Sequence, residues 1–68
     1  MRGNKELVEK LYPVGTKIEL VHMEDTHPVP SGTKGVVSFI DDIGPLHIDW
    51  ENGSSLALVY GVDKFNVI

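Results

Sequence analysis

Cysteine is absent from this 68-residue chain, so neither a disulfide framework nor a thiolate zinc site can hold it together, and a reducing compartment suits it. Aromatic residues are scarce, at one Trp, two Tyr and two Phe, which confines any recognition through rings to a handful of positions. No apolar run approaches the roughly 18 residues that span a bilayer. The opening Met1-Arg2-Gly3-Asn4-Lys5-Glu6 has none of the apolar core of a signal peptide. The expectation is a cytoplasmic protein with no membrane association.

Positive charge is also in short supply, with six Lys and Arg against ten Asp and Glu, for a net charge of −4. Three of the cations, Arg2, Lys5 and Lys10, fall within the first eleven residues, so the remainder is still more acidic. Phosphate backbones are bound by clustered Lys and Arg that displace counterions, and only Lys17, Lys34 and Lys64 remain for that task. Nucleic acid is therefore a disfavoured partner. A chain this short supports one domain with one core, and it buries only about 60% of its unfolded surface.

What the chain does contain reads as short strands separated by sharp turns. Residues 4 to 11 predict a two-turn helix with Asn4 as N-cap, Leu7, Val8 and Leu11 on one face and Leu7 and Leu11 laid against the body, ended by Pro13. Thr16 to Met23 alternates in polarity as a strand does, and residues 24 to 33 form a long loop stiffened by Pro28 and Pro30. Lys34 to Asp41 is a second strand in which Val36, Val37, Phe39 and Ile40 break alternation, so a bulge near Ser38 is expected to turn Val37 and Ile40 inward together. After the Asp42-Ile43-Gly44-Pro45 turn, Leu46, Ile48 and Trp50 alternate with His47, Asp49 and Glu51. Asn52-Gly53 suits a two-residue turn into a further strand over Ser54 to Val59, a reading that also accounts for the acceptor-like Asn52-Gly53-Ser54 without a glycan. A tight turn at Tyr60-Gly61-Val62-Asp63 precedes a closing strand at Lys64 to Val67. Five short strands in so few residues suit a small closed barrel, whose closure removes free edges.

The order of these loops is similar to that of SH3-like barrels, and Gly32-Thr33-Lys34-Gly35-Val36-Val37 resembles the strand entry of KOW and Tudor-type members. More narrowly, the chain resembles the small bacterial and phage family catalogued as domain of unknown function 4314. The resemblance is carried by Tyr12-Pro13-Val14-Gly15-Thr16, Val29-Pro30-Ser31-Gly32-Thr33-Lys34-Gly35, Asp41-Asp42-Ile43-Gly44, Trp50-Glu51-Asn52-Gly53-Ser54-Ser55-Leu56 and Gly61-Val62-Asp63. It implies a mainly β, five-stranded SH3-like barrel over residues 12 to 68 behind a helical extension at residues 1 to 11. It implies no activity.

Several constellations invite chemistry. His22, Glu24, Asp25 and His27 could offer two imidazoles and carboxylates to a transition metal, but their spacing matches no metal motif and a loop is a poor cage. Asp41, Asp42 and Asp49 lack the regular spacing of a calcium loop. Ser31, Ser38, Ser54 and Ser55 have three histidines as potential bases but no nucleophile elbow. No catalytic residue, metal ligand or cofactor is assigned. The residues best suited to recognition are Tyr12, Trp50 and Tyr60 near element ends, rimmed by Glu24, Asp25, Asp41 and Asp42. Together with the loop at residues 24 to 33 they predict a non-enzymatic module that binds a protein or peptide, basic in character, or a second copy of itself. A nucleic-acid accessory domain of the KOW or Tudor kind and a metal protein built on His22 and His27 are the alternatives.

Overall fold

The computed structural model describes residues 2–68, with side chains from Lys5 onward. One helix, α1 (Arg2–Leu11), precedes four strands, β1 (Lys17–His22), β2 (Lys34–Ile40), β3 (Leu46–Trp50) and β4 (Lys64–Val67). The strands form a single antiparallel sheet in the order β3-β2-β1-β4. The sheet is open, with β3 and β4 as its margins, so the expected five-stranded SH3-like barrel does not form.

The missing strand is the one expected over residues 54–59, and hydrogen-bond accounting explains why. A strand needs its backbone donors and acceptors free for a ladder, and here side chains take them first. The Ser54 amide donates to Asn52 Oδ1 at 3.0 Å, the Leu56 amide to Ser54 Oγ at 3.3 Å and the Val59 amide to Asp63 Oδ2 at 2.8 Å. The Leu56 carbonyl accepts the Trp50 indole N–H at 2.7 Å. Only Leu58 still pairs, exchanging two 2.8 Å bonds with Leu46. The turn that feeds this segment also differs from the expected two-residue form, which requires both central residues at positive φ. Gly53 has φ 82° but Asn52 does not join it, and the Gly53 amide closes instead on the Trp50 carbonyl at 3.0 Å.

The bulge in β2 does form. Val37 pairs with Ile48 and Phe39 with His47, so Ser38 is the extra residue, and Val37 and Ile40 are both buried. The core comprises Ile18, Leu20, Val37, Ile40, Leu46, Ile48, Trp50 and Leu58 from the sheet side, closed by Val8, Met23 and Val29. Gly35 is what lets the Trp50 ring enter: a methyl group there would lie 3.0 Å from the indole and collide outright with Ile48.

The helix is docked in a different phase from the one expected. It begins at Arg2, so Asn4 lies within it rather than at its cap, and the Asn4 side chain lies outside the described residues. Leu7 and Leu11 are each 45% exposed, whereas Val8 is buried. Lys5, Val8 and Tyr12 share the inward face at the i, i+3, i+7 spacing of a helix stripe. That phase is set from both ends, by the Lys5 ammonium on Asp42 at 2.7 Å and by the Tyr12 ring on Phe65.

The loop at residues 24–33 is stitched down. The Ser31 hydroxyl donates to the Val21 carbonyl at 2.6 Å, the Gly32 amide to the Leu20 carbonyl at 2.7 Å, and Thr33, itself buried, donates through its hydroxyl to the Pro30 carbonyl at 2.7 Å. Val29 between the two prolines is core. Within the loop Val29 and Thr33 are buried, and residues 24–28 and 30–32 stay at the surface.

Candidate interaction edge

Pro13 stops the helix, and the residue before a proline is pushed out of helical geometry. Tyr12 is thereby left at the helix end, half-buried, with its ring 4.9 Å edge-on from Phe65 of β4 and 6.0 Å from Tyr60. The three rings line one side of the molecule. Beyond Tyr60 lies a cleft of about 120 Å³ lined by Val8, Ile43, Gly44, Pro45 and Val59. Ile43 at its lip is 76% exposed, and Val59 and Tyr60 are exposed as well. Scattered apolar residues on a surface need no explanation, but contiguous ones mark contact sites.

Acidic groups flank this strip on both sides. On the helix side Asp42 joins Lys5, Glu6 and Glu9 around an open depression of about 460 Å³. The Asp42 carboxylate holds Lys5 above the usual lysine range, chiefly through their hydrogen bond. Asp41 is held below the usual carboxylate range, first by the Ile43 amide on Oδ1 at 3.3 Å and then by His47 Nε2 near Oδ2 at 3.4 Å. On the loop side Glu24 and Asp25 are exposed, with Asp25 Oδ1 accepting the His27 amide at 3.2 Å.

Asp63, which the sequence reading passed over as part of a turn, ties the two flanks together. It is buried, and its carboxylate accepts the Glu24 amide on Oδ1 and the Val59 amide on Oδ2, each at 2.8 Å. One side chain thus fixes the start of the long loop beside the Val59-Tyr60 corner. An acid closing the Tyr60-Gly61-Val62-Asp63 turn just before an alternating strand was the available signal, but nothing in that pattern says which distant amides it will bond.

Of the seven residues expected to form the site, the structure brings Tyr12 and Tyr60 together, sets Asp41 and Asp42 at the Ile43 end, and places Glu24 and Asp25 at the Asp63 end. Trp50 is elsewhere. It is 2% exposed, with its indole N–H spent on Leu56, because Leu46, Ile48 and Trp50 alternate into the core as one face.

Of the residues behind the two alternative readings, Lys64, His22 and His27 adjoin this edge, whereas Lys17 and Lys34 lie apart from it. Lys17 and Lys34 border an open groove of about 350 Å³ on the outer face of the sheet, but Asp49 and Glu51 border it too, around Val36 and Ile68. The groove therefore has no surplus of positive charge. His22 Nε2 lies 3.4 Å from Glu24 Oε1, and among the described residues no three His, Asp or Glu side chains converge as metal donors. None of the described helices is long and apolar enough to cross a membrane.

A family model matches residues 2–68 of the chain, under the description Domain of unknown function (DUF4314). No curated protein and no solved structure matches it.

Proposed function

We propose, for a chain that belongs to the DUF4314 family over residues 2–68, that it is a non-enzymatic binding module whose partner is a protein segment carrying apolar and basic side chains. The observation behind this reading is the exposed strip Ile43, Val59 and Tyr60 over an apolar cleft, with acids at both ends. Apolar anchors seated in such a cleft supply affinity, while complementary charge supplies steering and selects against acidic partners. The long loop contributes through Glu24 and Asp25, which Asp63 holds beside the strip.

Titration of short basic and apolar peptides against the labelled protein, followed by amide shifts, tests this. Shifts are expected at Ile43, Val59, Tyr60 and Glu24, weakening with salt as exposed charges are screened, and Tyr60→Ala is expected to lower affinity about tenfold or more. Shifts confined to Val36 and Ile68 on the outer face, or equal binding of acidic and basic peptides, overturn the reading.

A further inference from the structure

We infer that the free edge of β4 is a strand-addition site: the partner docks as an extended segment that hydrogen-bonds to Phe65 and Val67. This rests on the reading that the aromatic edge takes a protein partner, and it specifies the conformation in which that partner binds.

The Ile68 amide donates to the Lys17 carbonyl at 3.0 Å, which fixes the phase of the antiparallel β1–β4 ladder, so that Asn66 also turns its backbone groups toward Glu19. Phe65 and Val67 then point theirs the other way. The partner strand agrees: Leu20, opposite Phe65, gives its amide to the Thr33 carbonyl and accepts from the Gly32 amide, both on the β2 side. Phe65 and Val67 thus present two N–H donors and two carbonyl acceptors along a margin against which, among the described residues, no other strand is placed. A row of this kind is a template for another strand and for little else.

The side chains describe the strand that fits. Phe65 and Val67 lie opposite Leu20 and Ile18, hence on the core face, yet Val67 is 55% exposed because the core layer stops there. An added strand extends that layer with alternate apolar residues beside Val67 and the Phe65-Tyr12 rings. Its other residues lie on the outer face, where the chain's surplus of acid, a net charge of −4, favours basic ones. A partner segment is preferred over a second copy because each copy carries a net charge of −4.

The test uses the intact protein and a short peptide of alternating valine and lysine, with two derivatives N-methylated on one or the other backbone edge. Methylation of the bonding edge is expected to reduce affinity about tenfold or more while methylation of the other edge leaves it unchanged, and the Phe65 and Val67 amides gain protection from exchange. Val67→Pro removes one outward N–H without touching the β1 ladder and is expected to weaken the peptide comparably, with β1–β3 amide signals unmoved. If both methylated peptides bind like the parent at Tyr60 and Ile43, strand addition fails while the proposed binding role stands. If no peptide binds at all, both fail. Dimers that form through β4 and exclude the peptide overturn the choice of partner.

Discussion

The two margins of the sheet meet the same problem, a row of unpaired backbone groups, and meet it differently. Beside β3, residues 54–59 are folded over the edge and their amides are consumed one by one by Asn52, Ser54 and Asp63, with the Trp50 indole taking a carbonyl and Leu46 pairing Leu58. Beside β4 nothing comparable happens, and Val67 and Ile68 stay more than half exposed. A covered edge costs the chain a fifth strand but yields a packed core. An open edge leaves apolar surface and hydrogen-bonding capacity, which are the raw materials of recognition.

The sharpest way to break this contrast is to delete an anchor of the covered margin. Trp50→Ala empties a core site and orphans the Leu56 carbonyl, and a loss of about 4 kcal/mol is expected, against a total of roughly 3–10 kcal/mol for a domain this size. Urea denaturation followed by circular dichroism checks it, and a midpoint close to that of the parent would mean that the indole is not an anchor. Asp63→Ala comes next. It leaves the Glu24 and Val59 amides without partners, for about 3 kcal/mol, whereas Asp63→Asn keeps one acceptor oxygen and should lose about half as much; equal losses from the two variants would show that one amide oxygen does not replace either carboxylate bond. At the open margin, Val67→Ala should change stability by no more than about 0.5 kcal/mol, and a larger loss in the same denaturation series would mean that β4 is buried by something in solution.

The smallest effect is electrostatic. Because the Ile43 amide and then His47 favour the Asp41 carboxylate in the folded state, its pKa lies below the unfolded value of about 3.9. The stabilisation is complete above that value and disappears as pH falls through the folded one. Asp41→Asn should therefore be less stable than the parent by a constant margin above about pH 4 and draw level with it as pH falls further, as read by thermal melts across that range; a margin that persists unchanged into acid would mean that the carboxylate charge is not what the fold favours.

Local sequence rules carried far in the places where neighbours dominate. The β2 bulge was legible because four apolar residues in five positions cannot all satisfy a two-residue period. β3 was legible because Leu46, Ile48 and Trp50 keep that period cleanly. The same alternation carries Trp50 into the core, which the expectation of a recognition role for that residue passed over. The fifth strand failed for the converse reason: Ser54 to Val59 has adequate strand character, but the Ser54, Asn52 and Asp63 side chains compete for its backbone. At the candidate edge the aromatic pair and the acidic flanks were readable as residue types, while Ile43, Val59, Phe65 and Asp63 were not singled out. Each of these is ordinary in sequence and distinguished only by what lies next to it.

The order and spacing of residues alone determined a mainly β chain of short strands behind a helix, a single small core and a surplus of negative charge, because these follow from periodicity, turn chemistry and counting. Tertiary structure decided that the sheet stays open, that Val8 rather than Leu7 and Leu11 docks the helix, and that the tyrosines, the Ile43 cleft and the acids share one edge with β4. Those outcomes depend on which distant partner each hydrogen-bonding group finds first, and Asp63, with one oxygen on Glu24 and the other on Val59, is the clearest instance.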